Sequence, residues 1–306
     1  MSALSDPATV GLIGVGNMGE PFAERILAAG FSLVVYSRTP AKAHAIGARG
    51  AAVAESPQDL ARRADIVLTS LPDDAALEEV AKQILGRAKA GSVLVDTSTV
   101  SPAASARVAS LADAASVGYV RAPVSGNPTI VRAGTLSVIV SGARDAFGRA
   151  EPVIRAIGPT VYYVGDGEEA RVVKLAINLM IAGIAELMSE ALVLGEGAGV
   201  DRATLLDVMG GSAVGAPFVK YKTDALLRDD YSATFTTALM EKDLDLVLDA
   251  AADVEVELPL ARAMKPLLRA TIDGGYADSD FMALFLQLRK ASGLGVAAEA
   301  VSRAGV

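Results

Sequence analysis

The feature that most constrains this chain is the glycine spacing Gly14-x-Gly16-x-x-Gly19, which follows a β-branched run and opens an amphipathic stretch. In a strand–turn–helix unit, Gly14 makes the tight turn, Gly16 lets the backbone approach a pyrophosphate, and Gly19 lets the helix pack closely on the strand. The N-terminus of the helix then faces the phosphates. The spacing therefore predicts a dinucleotide site, with a generic glycine-rich turn as the competing interpretation.

The first half of the chain alternates short Val- and Ile-rich runs with Ala-rich amphipathic stretches. This alternation is typical of βαβ units in a doubly wound parallel sheet. Ser56-Pro57 and Ser101-Pro102 predict helix starts, because a hydroxyl caps free N–H groups and Pro fits the first turn. The expected strands lie near Thr9–Val15, Leu33–Tyr36, Ile66–Ser70, Val93–Asp96, Tyr119–Ala122 and Leu136–Val140, with weaker strands near Ala52 and Val161.

After about Glu168 no strand is expected, and Ala-, Leu- and Met-rich periodic stretches run nearly to the end of the chain. A chain of 306 residues is long for one ordinary core, so two domains are expected. We predict an α/β fold with a Rossmann dinucleotide-binding domain over residues 1–167. An all-helical substrate and dimerisation domain is predicted over residues 168–306, joined to the first by one long helix over Glu168–Gly195.

Composition excludes several classes of function. The formal net charge of −8 argues against a nucleic-acid surface, which needs clustered Lys and Arg. The absence of Cys excludes disulfides, thiolate nucleophiles and Cys-based metal sites, and it favours a reducing compartment. Charged residues interrupt the apolar stretches, and the N-terminus lacks a secretory pattern. We therefore expect a cytoplasmic protein that acts without a membrane.

The second predicted strand ends in Ser37-Arg38-Thr39, where NAD sites usually place an Asp or Glu for the ribose 2′-hydroxyl. No carboxylate is present there. Arg38 is suited to pair with a 2′-phosphate and to stack on adenine, and the hydroxyls of Ser37 and Thr39 are suited to donate to the phosphate. The sequence thus favours NADP(H) over NAD, with a solvated loop arginine as the alternative.

Hydride transfer to or from a carbonyl carbon needs a protein group that exchanges a proton with the oxygen. The single His, His44, falls on a predicted crossover helix away from the ligand edge of the sheet. Lys174 lies in the apolar run Val172–Ile177, where burial would favour the neutral amine. A lysine that extends along the helix to solvent is the competing interpretation. Asn178 follows one turn later on the same face, where it would orient Lys174 or the substrate oxygen.

The segment Ala122–Gly126 follows a predicted sheet strand. Ser125 and the backbone N–H groups beside it are therefore candidates for holding a substrate carboxylate at the carboxyl edge of the sheet. A plain turn is the alternative.

Together these motifs resemble the β-hydroxyacid dehydrogenase family, which includes 3-hydroxyisobutyrate dehydrogenases and tartronate semialdehyde reductases. The resemblance spans about residues 9–295, and the ensemble is far more specific than any one motif. The motifs occur in the order of the family: Gly11–Gly19, Ser70–Pro72, Asp96–Thr99, Ala122–Gly126, Lys174 with Asn178, and Lys242-Asp243.

The resemblance implies a Rossmann domain, an all-helical domain and an active site between them that takes a small carboxylate. By position, Lys174 matches the catalytic lysine, which protonates the carbonyl oxygen in reduction and assists proton removal in oxidation. Asn178 matches a polar substrate-side residue, and Ser125, Gly126 and Asn127 lie on the segment that holds the substrate carboxylate. The residues that would contact the cofactor are Gly14, Gly16, Asn17, Met18, Gly19, Ser37, Arg38, Thr39, Leu71, Pro72, Thr99 and Lys242.

Two departures from the family pattern lie beside the substrate segment. Arg121 stands where the family often has Asp, and Asn127, followed by Pro128, replaces a second glycine. Both indicate a pocket rim that differs from that of the hydroxyisobutyrate enzymes.

The sequence also leaves two other functions open. An imine reductase shares the architecture but usually replaces the lysine with Asp or Tyr, and a catalytically silent cofactor-binding module would be expected to lose it. Because the family assembles through its helical half, we also expect a homodimer or homotetramer.

Overall fold

Strands and helices alternate in the first part of the chain, and helices alone follow. The computed structural model describes residues 8–294; residues 1–7 and 295–306, which the predicted domain limits include, lie outside the described residues. The chain divides into two units, one up to Lys174 and one from Leu175 onward. The strands are β1 (Val10–Ile13), β2 (Leu33–Tyr36), β3 (Ala52–Val53), β4 (Ile66–Thr69), β5 (Val93–Asp96), β6 (Gly118–Arg121), β7 (Val124–Ser125), β8 (Ser137–Gly142) and β9 (Thr160–Gly165).

The sheet of the first unit has the order β3-β2-β1-β4-β5-β6-β8, and its strands from β3 to β6 are parallel. Side chains alternate between the two faces of a strand, and the central strands are buried on both faces because helices pack on each. In β1, Val10 and Leu12 join the core on one face while Ile13 joins the core on the other. The predicted doubly wound α/β fold is confirmed, and each predicted strand is present.

The far edge of the sheet differs from the all-parallel prediction. Strand β8 runs antiparallel to β6 and to the short strand β7, and it pairs in parallel with β9. The connection from β6 to β8 contains Pro123, Gly126, Pro128 and Gly134, which leave room for only a five-residue helix. A crossover to a parallel strand usually runs through a full α-helix, whereas this connection holds β7 and the five-residue helix, and β8 runs antiparallel to β6. The sheet is therefore mixed.

Helices cover both faces of this sheet. Ser56 and Ser101 cap their helices as predicted, because their side chains accept hydrogen bonds from the backbone N–H groups of Asp59 and Ala104. The helices are α1 (Gly19–Ala28), α2 (Pro40–Gly47), α3 (Pro57–Arg63), α4 (Asp74–Leu85), α5 (Pro102–Ala114), α6 (Pro128–Arg132) and α7 (Arg144–Ile157).

The long helix α8 (Glu169–Gly197) confirms the predicted 168–195 helix and runs from the first unit into the second. The second unit contains only helices within its described residues, apart from an isolated bridge between Thr236 and Asp280. Its α-helices are α9 (Arg202–Gly211), α10 (Pro217–Leu227), α11 (Thr237–Asp253), α12 (Pro259–Thr271) and α13 (Leu284–Ala291), with a π turn at Ile272–Tyr276 and a 3₁₀ turn at Phe281–Ala283.

Among the described residues, α8 is the one helix long and apolar enough to cross a membrane by length and composition. Ala185 and Leu192, on its buried side, belong to the hydrophobic core of the second unit together with Met264 and Phe285. Packing within the protein therefore accounts for much of its apolar composition.

The parallel register aligns the carboxyl ends of five strands. Ile13 pairs with Tyr36 on one side and with Thr69 on the other, Thr69 pairs with Asp96, and Asp96 pairs with Arg121. The turns that follow β2, β1, β4, β5 and β6 consequently lie side by side at one edge, where ligands of open α/β sheets bind.

Candidate functional site

The glycine turn after β1 requires glycine at two of its three positions. Gly14 has a φ of +97°, and a Cβ there would lie 2.2 Å from the carbonyl oxygen of Ser70. A Cβ on Gly19 would lie 1.9 Å from the carbonyl oxygen of Gly14, so the start of α1 packs directly on the turn. A Cβ on Gly16 would meet no atom within 4 Å and would project into open space. These are the roles that a pyrophosphate cradle needs.

Ser37-Arg38-Thr39 lies beside this turn, because the N–H of Gly14 donates to the carbonyl of Tyr36 at 3.2 Å. Arg38 and Thr39 are exposed, and Ser37 accepts a hydrogen bond from the N–H of Thr39 at 3.3 Å. The segment presents a guanidinium and two hydroxyls, which suit a 2′-phosphate.

The turns after β4 and β5 lie on the opposite side of the glycine turn. The N–H of Ser70 donates to Ile13, and the N–H of Leu71 donates to the hydroxyl of Ser98 at 2.9 Å. Pro72 is exposed and Thr99 is half-buried. Leu71, Pro72 and Thr99 therefore stand on two strand ends that adjoin the glycine turn, and the residues of this edge fit a bound dinucleotide.

Lys174 lies in the second turn of α8 and is half-buried. One turn earlier, Arg171 is buried, and its guanidinium reaches the end of β5. It donates to Asp96 at 2.5 Å and to the carbonyl of Ser98 at 2.7 Å. The helix that bears Lys174 is thus fastened to the turn that bears Thr99.

The substrate segment forms β7 and the start of α6. Ser125 is half-buried and pairs with Ser137, and Gly126 has a φ of +145°, with Leu136 and Ile130 occupying the space of a side chain. Asn127 caps α6, because its side-chain oxygen accepts from the N–H of Ile130 at 3.1 Å. The departure at Asn127 therefore serves to begin a helix.

In the second unit, Asn178 and Lys242 meet at a buried carboxylate. The amide of Asn178 donates to Asp243, which is 1% exposed, and the ammonium of Lys242 lies 2.9 Å from the other oxygen of Asp243. Asp243 thereby fixes the orientation of both predicted residues.

Within the first unit the structure places the predicted cofactor residues on adjacent strand ends, and in the second unit it joins Asn178 to Lys242. Asp96, Arg171 and Asp243 are site residues that were not predicted from the sequence. The two Asp residues stand in the motifs that carry the family resemblance, which is a signal that could have identified them. For Arg171 the sequence shows only a cationic residue before an apolar run, which is no signal for a specific role. His44 is exposed on α2.

Comparisons with known proteins agree with this geometry. Residues 9–165 match the family model described as the NAD-binding domain of 6-phosphogluconate dehydrogenase. Residues 168–288 match the model described as NAD-binding of NADP-dependent 3-hydroxyisobutyrate dehydrogenase.

The 2-(hydroxymethyl)glutarate dehydrogenase of Eubacterium barkeri is 32% identical over 94% of this chain and 97% of its own length. The structure of Mycobacterium tuberculosis 3-hydroxyisobutyrate dehydrogenase with L-serine has a TM-score of 0.84 and 29% identity, covering 92% of this chain and 99% of that one. An imine reductase from Pseudomonas sp. has a TM-score of 0.61 and 22% identity over 92% of this chain and 99% of its own, and it shows the shared fold alone.

We expect Gly14→Ala to weaken NADPH binding by at least about tenfold, because the added methyl forces the turn away from Ser70. Fluorescence titration of NADPH measures the change. Gly30→Ala is the matched control, since Gly30 also has a positive φ, +84°, but a Cβ there meets nothing within 4 Å. Equal affinity in the Gly14→Ala variant and the wild type would show that this turn does not hold the dinucleotide.

Proposed function

Because the chain belongs to the β-hydroxyacid dehydrogenase family, we propose that it is an NADP-dependent enzyme that interconverts a small β-hydroxyacid and its semialdehyde or oxo acid. Membership makes it an NAD(P)-dependent oxidoreductase acting on CH–OH groups. One observation carries the proposed NADP-dependent reaction. The glycine turn, the Ser37–Thr39 segment and the turn after β5 lie along one edge of the sheet, and α8, which bears Lys174, is fastened to the turn after β5.

The preference for NADP rests on the end of β2. Arg38 and Thr39 are exposed there, and the segment of three residues contains no carboxylate that would repel a 2′-phosphate. A guanidinium and two hydroxyls form charge-assisted hydrogen bonds with a phosphate, which are stronger than neutral ones.

The proposed catalysis assigns the proton to Lys174. The nicotinamide, when bound, supplies or accepts the hydride. In reduction the ammonium of Lys174 donates a proton to the carbonyl oxygen, and in oxidation the neutral amine removes the proton from the hydroxyl. Asn178, which donates a hydrogen bond to Asp243, lies one turn from Lys174 on the same helix face. We assign it the role of orienting Lys174 or the substrate oxygen.

The proposed substrate is a short 2-substituted 3-hydroxypropanoate. Two relatives act on 2-(hydroxymethyl)glutarate and 3-hydroxyisobutyrate, and the structure of one holds L-serine. In each of these compounds a hydroxymethyl group is attached to the carbon that bears a carboxylate. Ser125, Gly126 and Asn127 would hold that shared carboxylate through their hydroxyl and N–H groups, while the substituent that differs between substrates would meet the rim.

The retention of Lys174 favours carbonyl over imine chemistry. During carbonyl reduction the oxygen gains negative charge, which a protonated amine stabilises. The nitrogen of a C=N substrate can already carry a positive charge before reduction, so it needs such a group less. The same lysine also weighs against a catalytically silent module.

The proposed oligomer is a homodimer at least, in the cytoplasm, and α8 offers the surface. Met180, Leu187 and Leu194 recur every seven residues and are 66%, 59% and 76% exposed. A seven-residue apolar repeat on one helix suits pairing with an identical helix. We therefore assign this seam to a second copy of α8.

Lys174→Ala should lower kcat for semialdehyde reduction by about 10²–10⁴-fold, the usual contribution of a positioned general acid. NADPH consumption gives the rate, and fluorescence titration should give an NADPH affinity close to that of the wild type. Lys220→Ala, at an exposed site on α10, is the matched control. Wild-type turnover in the Lys174→Ala variant would remove the lysine from the mechanism.

Arg38→Ala should reduce the ratio of kcat/KM for NADPH to that for NADH by about tenfold or more, because it deletes a charge-assisted bond to the 2′-phosphate. Arg155→Ala, which removes an exposed arginine at the end of α7, should leave the ratio unchanged. A ratio unaffected by Arg38→Ala would mean that the phosphate is recognised elsewhere.

Leu187→Lys should convert the protein to a monomer, because it places a charge in the centre of the α8 seam. Light scattering at micromolar concentration measures the mass. Val208→Lys, on α9, changes a valine that is 64% exposed and should leave the mass unchanged. A wild-type protein that is already monomeric under these conditions would refute the dimer.

A further inference from the structure

We propose that five buried or half-buried residues at the start of α8 act as positioning residues for Lys174, an inference that rests on the proposed function. These residues form the α8 clamp: Asp96, Tyr119, Arg121, Glu168 and Arg171. They hold the lysine at a set place relative to the Ser125 segment.

The clamp contacts the start of α8 at two residues about one turn apart, Arg171 and Glu168. Arg171, in the first turn, donates to Asp96 at the end of β5, and both side chains are almost completely buried. Glu168, immediately before the helix, accepts from the guanidinium of Arg121 at the end of β6, with Nε at 3.0 Å. Two neighbouring strand ends therefore hold the first turn of α8 and the residue just before it.

Tyr119 connects the two ion pairs. Its hydroxyl lies 3.0 Å from Nη2 of Arg171, and its ring lies 4.6 Å from the guanidinium carbon of Arg121. Burial raises the pKa of the Tyr119 phenol, so the hydroxyl stays protonated. The cluster thus contains two guanidiniums and two carboxylates joined by one neutral aromatic residue, and its charges balance.

A third strand holds the same backbone. The hydroxyl of Ser141, in β8, donates to the carbonyl of Gly167 at 2.7 Å and accepts from the N–H of Ala170 at 3.2 Å. Residues 167–171 are therefore fixed from β5, β6 and β8 together, more closely than a helix start normally requires for capping.

The clamp lies close in the chain to both the proton donor, Lys174, and the substrate segment that contains Ser125. Lys174 is three residues beyond Arg171, a rise of about 4.5 Å along a helix. Ser125 is four residues beyond Arg121 in the chain. Since a misplacement of about 1 Å can cost about a hundredfold in rate, a rigid common anchor for proton donor and substrate segment has catalytic value.

The clamp also explains the departure at Arg121. A cation in place of the family's Asp would be expected to change the charge of the substrate pocket. Arg121 is only 7% exposed and its charge is neutralised by Glu168, so the replacement contributes to the clamp and leaves the charge of the pocket rim to other residues.

The test compares Arg171→Met, Glu168→Gln and Tyr119→Phe with Arg202→Met, a control that removes two ion pairs, to Glu196 and Asp229, in the second unit. For each variant we would measure kcat and KM with NADPH, the NADPH affinity by fluorescence, and the acetylation rate of Lys174 relative to exposed Lys220 by mass spectrometry. The labelling needs neither substrate nor turnover.

We expect Arg171→Met and Glu168→Gln to lower kcat by about tenfold or more, with KM and NADPH affinity within about twofold of the wild type. The Lys174-to-Lys220 labelling ratio should change by at least about threefold in both, and Tyr119→Phe should shift the same quantities less. Arg171→Lys, which keeps the charge but not the planar fork, should recover part of kcat. Arg202→Met should change thermal stability alone.

Unchanged kcat and labelling in Glu168→Gln and Tyr119→Phe would overturn the clamp, even if Arg171→Met failed to fold. Loss of stability without a change in the labelling ratio would reduce these residues to a purely structural role. The proposed function is contradicted by a different result, namely full turnover in the Lys174→Ala variant. That result would not affect the comparison of Lys174 labelling between the wild type and the clamp variants.

Discussion

The ion pair between Arg171 and Asp96 is the interaction on which the arrangement of the first unit's site depends. Both side chains are fully buried, so desolvation offsets much of their attraction and the pair adds little net stability. Removal of one partner would leave a buried charge, at a cost of about 3–5 kcal/mol. The main effect of the pair is therefore positional, because it fixes the first turn of α8 against the turn after β5.

The rest of the site follows from sheet geometry. Parallel strands end at one edge, and the turns after β2, β1, β4 and β5 bring the Ser37–Thr39 segment, the glycine turn, Leu71 and Thr99 into consecutive positions. The first turn of α8 is fastened to this edge by Asp96, and Lys174 follows within a turn. In the second unit, a single buried carboxylate on Asp243 orients Asn178 and Lys242.

Local patterns predicted much of this, and long-range pairing was the part they could not predict. The long β-branched runs and the serine caps are local signals, so β1, β2, β4, β5 and the helix starts at Pro57 and Pro102 were predictable. Strand β7 has two residues and no period to detect, and the direction of β8 depends on a connection broken by Pro and Gly. Arg171 and Asp96 are 75 residues apart in the chain, and only the fold brings them together.

We propose that this protein oxidises small β-hydroxyacids with NADP⁺ and reduces the corresponding semialdehydes or oxo acids with NADPH. The most direct measurement is NADPH consumption by the purified protein against short 2-substituted semialdehyde acids, with NADH and a set of cyclic imines assayed in parallel. The account predicts turnover of the semialdehydes, faster with NADPH than with NADH. Turnover of imines alone, or NADPH binding without turnover of any carbonyl, would contradict it.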